Sequence, residues 1–204
     1  MIISRQKKTS EILRALKEKN IFIIGCGKCA SKLHAGGEPE VLEMGKKLKK
    51  AGKTITGWTV LSSACTIPSW NEVLSQNPGI KKSDALLVMS CGAGVAAVSR
   101  FANTVYPALD TASLGGMCDE EIMEEQCGMC GECTVWMYGG ICPIARCAKC
   151  LPNGPCGGAV DGKCEVDERN KCAWDAIYER LLKLRKLEYL EIIHEPKNHA
   201  KRRG

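Results

Sequence analysis

The sequence predicts an α/β fold: an N-terminal Rossmann-like parallel sheet with helices, followed by a small cysteine-rich, metal-stabilised domain and a C-terminal helix. Three observations carry this. Short apolar runs of strand length alternate with amphipathic helical segments as far as residue 117, the rhythm of parallel strands joined by right-handed crossovers. Beyond that point ten cysteines, from Cys118 to Cys172, sit among Gly-Gly, Pro-Asn-Gly and Gly-Pro turns with too few periodic apolar residues for an independent core. Last, Trp174, Ile177, Leu181 and Leu184 recur at helical spacing with charged residues between them. Two domains follow, residues 1–117 and 118–204.

The elements come in order. Residues 9–19 place Ile12, Leu13 and Leu16 on one helical face, with Thr9 or Ser10 available as a cap. IFIIG, residues 21–25, is a continuous apolar run suited to a strand covered on both faces. Residues 38–51 open with Pro39 in the first turn, stop before Gly52 and carry Val41, Leu42 and Leu48 as a stripe, which predicts a helix. Strands follow at 54–62 and 84–90, separated by a helical turn around Trp70, Val73 and Leu74, with a weaker fourth strand around Tyr106 to Thr111. A helix is predicted just after Cys91, its free N–H groups turned toward anionic thiolates. Residues 119–126, DEEIMEEQ, read as an acidic helical turn or linker, and the last helix runs from about Ala173 to Ile193.

In an open parallel sheet, functional groups gather beyond the carboxyl ends of the strands. Cys26 and Cys29 follow the first predicted strand, Cys65 the second and Cys91 the third, so these four thiols are expected at one edge as a metal site. Gly25, Gly27 and Ala30 imitate a dinucleotide-binding turn, but the second strand ends in Leu61, Ser62 and Ser63 without the acidic residue that holds a ribose. Buried, unliganded core cysteines are the plainer alternative for Cys65 and Cys91.

The densest stretch is Cys127 to Cys156. Cys127, Cys130 and Cys133 stand at three-residue spacing, and Cys142 is followed by Pro143, an arrangement that resembles a cluster-binding loop with a longer final gap than in bacterial ferredoxins. With Cys147, Cys150, Cys156, Cys164 and Cys172 there are enough thiols for two four-cysteine sites and one spare. Spacing does not partition them. Iron–sulfur and zinc both remain open, because tetrahedral four-thiolate zinc sites use similar turns. The three histidines, His34, His194 and His199, are scattered and assigned to no site.

The totals limit the function classes. Fourteen cysteines in 204 residues, with no signal-like apolar run at the start, predict a cytoplasmic protein whose thiols are metal ligands rather than disulfide partners. No run is long enough to predict a membrane span. The net charge of +6 is spread over helical faces and the tail residues Lys197, Lys201, Arg202 and Arg203, which read as a solvated end. With aromatic residues at only 5%, stacking platforms for nucleic acid are few, and no nucleic-acid partner is predicted.

Gly139 to Pro143, Asn153 to Gly158, Cys164-Glu165-Val166 and Cys172-Ala173-Trp174 stand in an order that resembles the MetV family, the small cysteine-rich subunit of acetogen-type methylenetetrahydrofolate reductases. The Cys26-Gly27-Lys28-Cys29 turn is similar too, and Cys150 departs from the pattern and is taken as the spare thiol. The resemblance implies an iron–sulfur electron-transfer subunit with at least two and as many as three [4Fe-4S] clusters, zinc at one site being the alternative. It also implies a flavin-containing TIM-barrel partner, MetF, which reduces methylene- to methyltetrahydrofolate, and a reduced carrier such as ferredoxin or a further redox subunit as electron source. No residue of the chain is assigned a catalytic role, since nothing in it resembles a folate site.

Overall fold

The computed structural model describes residues 1–118 and 121–203, with the side chains of Cys118, Met123, Glu124, Arg202 and Arg203 also outside the description. The chain divides into two compact units, Met1–Ala112 and Ser113–Gly204.

The first unit runs β1 (Ile2–Gln6), α1 (Thr9–Ala15), β2 (Asn20–Cys26), α2 (Cys29–Lys32), α3 (Glu38–Lys50), β3 (Thr54–Leu61), α4 (Trp70–Gln76), β4 (Ala85–Met89), α5 (Gly92–Val98) and β5 (Val105–Pro107). Four of these strands form a sheet in the order β3-β2-β4-β5, with every neighbouring pair parallel. Strand β2 lies between β3 and β4, so Ile23 pairs with Trp58 on one side and Leu87 on the other. Its apolar run serves both faces. Ile21 and Ile23 join Leu87, Met89 and the α3 residues Val41, Met44 and Leu48 in one core, while Phe22 and Ile24 join Leu86, Val88 and Val98 in the other. Alternate residues of a strand point to opposite faces, and this is why an unbroken hydrophobic sequence is needed where helices cover both.

Three expectations for this unit need correcting. Helix α1 is preceded by Lys8 as its cap, without a side-chain capping bond, instead of being capped by Thr9 or Ser10. It also ends at Ala15, because Lys53 Nζ donates to the carbonyl oxygens of Leu16 and Glu18 at 2.7 and 2.8 Å and satisfies them along an extended path. The fourth strand stops at Pro107, with the Ala108 N–H making a last bond to the Val88 carbonyl at 2.9 Å, and Leu109–Cys118 forms a separate strand, β6.

Strand β6 continues into the second unit and belongs to a three-stranded sheet of order β1-β6-β7, where β7 is Glu121–Cys127. The acidic segment expected as a helical turn or linker is therefore a strand over its described residues. Pairing overrides the helical preference of its glutamates: Met117 faces Ile122 and Leu114 faces Cys127 in antiparallel register, and the N–H of Glu125 donates to Ser113 Oγ at 3.2 Å.

The rest of the second unit holds α6 (Pro143–Arg146), α7 (Ala173–Leu184) and short 3₁₀ turns at Val135–Tyr138 and Leu187–Glu191. Its core is small, with Met137, Tyr138, Trp174, Ile177 and Leu181 at the centre. Helix α7 ends nine residues before the predicted Ile193. Arg185 takes a left-handed conformation (φ 56°, ψ 46°), and the N–H groups of Arg185 and Lys186 close back onto the carbonyls of Leu182 and Leu181.

Candidate metal centre

The sheet topology places the four N-terminal cysteines at the carboxyl side of β2, β3 and β4. Cys26 is the last residue of β2 and is buried; Cys29 opens α2; Cys91 caps α5 directly beyond β4; Cys65 is exposed in the loop after β3. Because β2 separates β3 from β4, the connections leaving β2 and β4 pass to opposite faces, as the two cores show. The loop after β2 packs tightly over the end of β4. At Gly36 an added Cβ would press into the Met89 carbonyl, and the Gly36 carbonyl in turn accepts from Cys26 N–H at 2.9 Å.

Hydroxyls surround this edge. Ser63 Oγ lies 3.4 Å from Cys65 Sγ and Thr66 Oγ1 lies 4.0 Å away; hydrogen bonding from Ser63, then Thr66, holds the Cys65 thiol below its ordinary range. Residues Ser62, Ser63, Thr66 and Ser69 line a cavity of about 270 Å³ beside it. The helix start after Cys91 is less available than the sequence predicts, since Thr111 Oγ1 accepts the Gly92 N–H at 2.8 Å.

In the second unit, the three-residue cysteine spacing becomes a run of tight turns. Met129 and Gly131 have φ of 51° and 81°, the Met129 N–H donates to Cys127 Sγ at 3.3 Å, and Cys130 Sγ donates to the Glu132 carbonyl at 3.3 Å. Cys142 caps α6 with Pro143 in the first turn, and α6 packs against β7, whose last residue is Cys127. The basic tail is not merely solvated. Lys197 Nζ donates to the Glu132 carbonyl at 2.9 Å and to Thr134 Oγ1 at 3.3 Å, and Lys201 pairs with the Glu132 carboxylate at 2.8 Å.

The remaining cysteines sort by position. Cys147, Cys156, Cys164 and Cys172 line a single cavity of about 20 Å³, walled by Ala173 and Trp174. Cys147 ends α6 and Cys172 caps α7, both resting against the small core. The intervening loops are pinned by specific bonds. Trp174 Nε1 donates to the Leu151 carbonyl at 3.2 Å, Tyr138 Oη to the Pro152 carbonyl at 3.0 Å, and the Cys172 N–H to the Gly162 carbonyl at 2.7 Å. Cys150 is exposed in a left-handed conformation and is absent from the cavity wall. The Lys149–Glu165 ion pair lines this same cavity.

A thiol-only donor set matches soft metals and iron–sulfur centres by chemistry. Among the described residues, no three histidine, cysteine or acidic side chains are drawn close enough to hold a single metal ion. The four thiols share a cavity without crowding one point. The sequence marked these cysteines as ligand candidates, but not Lys149, Glu132, Lys197 or Thr111. No spacing rule singles out such residues, because their partners are distant in the chain.

The stretch that builds the quartet resembles a known family. Residues 106–200 match the family model described as methylene-tetrahydrofolate reductase C terminal. This part of the chain is similar to that family. The match begins in β5 and takes in every cysteine from Cys118 to Cys172, leaving the four sheet-edge cysteines outside it. No curated protein and no solved structure matches the chain. Among the described residues no helix is long and apolar enough to cross a membrane.

Proposed function

We propose that the chain is a MetV-like electron-transfer subunit of a cytoplasmic methylenetetrahydrofolate reductase complex, holding iron–sulfur centres on its cysteines and serving the flavin of a TIM-barrel, MetF-like partner. The observation that carries this reading is the joint lining of one cavity by Cys147, Cys156, Cys164 and Cys172 inside the reductase-related stretch. An iron–sulfur centre bound there supplies one-electron transfer.

The chain's own part is to bind, orient and shield. Cys147 and Cys172 are fixed at helix ends against the core, Cys164 is held by its N–H on the Asn170 carbonyl at 3.0 Å, and Cys156 lies in the loop that follows the bonded Leu151 and Pro152 carbonyls. Trp174 closes one wall against water. By the same donor chemistry, Cys127, Cys130, Cys133 and Cys142 are assigned to a second centre, and Cys26, Cys29, Cys65 and Cys91 to a third at the sheet edge. The reduced carrier that delivers electrons is ferredoxin or a further redox subunit, and the chemistry on carbon belongs to the partner.

The test is anaerobic purification with iron, sulfide and zinc analysis, followed by pull-down of the flavoprotein partner. Brown protein with iron and acid-labile sulfide in near-equal amounts supports the proposal. Colourless, zinc-loaded protein that still binds the partner leaves a structural subunit in its place.

A further inference from the structure

We propose that Lys149, tethered by Glu165, is the counter-charge of the centre held by Cys147, Cys156, Cys164 and Cys172, and sets how readily that centre is reduced. The inference rests on the iron–sulfur reading above and goes beyond it by assigning a tuning role to a residue that is not a ligand.

Three observations place Lys149 in this role. Among the described residues that line the cavity, it is the one cation, facing four thiols that carry negative charge once they bind metal. Its position is built into the ligand loops: Lys149 sits two residues after Cys147 in a turn closed by the Cys150 N–H on the Cys147 carbonyl at 2.8 Å, and Glu165 directly follows Cys164. The backbone also makes room for the tether. At Gly158 an added Cβ would overlap the Glu165 carboxylate, so the glycine leaves that carboxylate the space it occupies in the pair.

The physics follows from charge. When a reduced one-electron carrier donates, the electron is the only particle gained: no bond in the chain forms or breaks, no proton moves, and the centre becomes more negative by one. A fixed ammonium beside it stabilises that extra charge and favours the reduced form. Glu165 matters by geometry, since an untethered lysine of this exposure would turn its head into water.

Anaerobic redox titration followed by electron paramagnetic resonance tests this on the full-length protein, reading the signal that Cys156→Ser or Cys164→Ser removes. Lys149→Gln is expected to make reduction about tenfold less favourable, about 59 mV for a one-electron couple, with iron content unchanged. Lys149→Arg, which keeps the charge, should stay within about threefold of the parent. In a Glu165→Gln background the Lys149→Gln shift should shrink to less than about threefold. A fully loaded Lys149→Gln protein with an unshifted potential, or equal shifts for Gln and Arg, overturns the assignment alone; equal shifts with and without Glu165 overturn the tether. A parent protein with no iron or labile sulfide overturns the electron-transfer reading and this assignment with it.

Discussion

Lys197 and Glu132 are 65 positions apart in the chain, and the Lys197 ammonium donates to the Glu132 carbonyl at 2.9 Å. Glu132 lies between Cys130 and Cys133, so this bond, with its companion to Thr134, fastens the tail to a cysteine loop that has few backbone bonds of its own. A charge-assisted bond to a partly shielded carbonyl contributes about 1–2 kcal/mol. Lys197→Ala is expected to speed amide exchange across residues 130–134 while leaving exchange in β2 and β4 unchanged.

Substitution separates the cysteine groups. Cys164→Ser is expected to remove one centre's worth of iron, because Cys164 shares the cavity with Cys147, Cys156 and Cys172. Cys150→Ser should remove none, its side chain being exposed and outside that wall. Iron and sulfide analysis of the two proteins side by side checks this; equal losses would contradict the partition.

The sheet edge is tested independently. Cys65→Ser and Cys91→Ser are each expected to lower iron content by one further centre without changing the signal from the C-terminal quartet. Full iron in both variants would remove the third centre from the proposal and leave Cys65 as an exposed thiol with a hydroxyl neighbour.

Gly36→Ala tests the packing that brings the loop after β2 over β4. The new methyl has no room against the Met89 carbonyl, and displacing backbone at a filled site costs about 1–3 kcal/mol. Denaturant unfolding of the variant should show a lower midpoint with an unchanged slope.

The loop between Cys164 and Cys172 has a pH signature. Arg169 bonds the Asp167 side chain through its guanidinium and its N–H, holding that carboxyl down at about 2. A carboxylate depressed in the folded state adds stability that is complete above its unfolded value, about 3.9, and is lost as the pH falls toward 2. The stability difference between parent and Arg169→Gln should therefore be constant above about pH 5 and narrow below about pH 4, as read by denaturant titration at a series of pH values.

Much of the first unit was legible because its strands are covered on both faces: Ile21 to Ile24 and Ala85 to Met89 are unbroken apolar runs, and Pro39 and Gly52 bracket α3. Strand β1 was not, since IISRQ is short and half polar, and its place depends on β6, more than a hundred residues away. The glutamates of β7 point locally to a helix and are overruled only by pairing with β6. Cysteine spacing identified thiols in reach of one another along the chain but not which of them would share a wall. That depends on bonds such as Trp174 to Leu151 and Cys172 to Gly162, which no local pattern encodes.

The order of the cavity's walls along the chain dictates when it can be filled. During synthesis Cys147, Cys156 and Cys164 leave the ribosome ahead of Cys172, and Trp174, which closes the space, comes after all four. On the proposed reading, metal delivery to this pocket must await synthesis of the stretch that carries Cys172 and Trp174, with the earlier thiols kept from air and from premature ligands until that wall arrives.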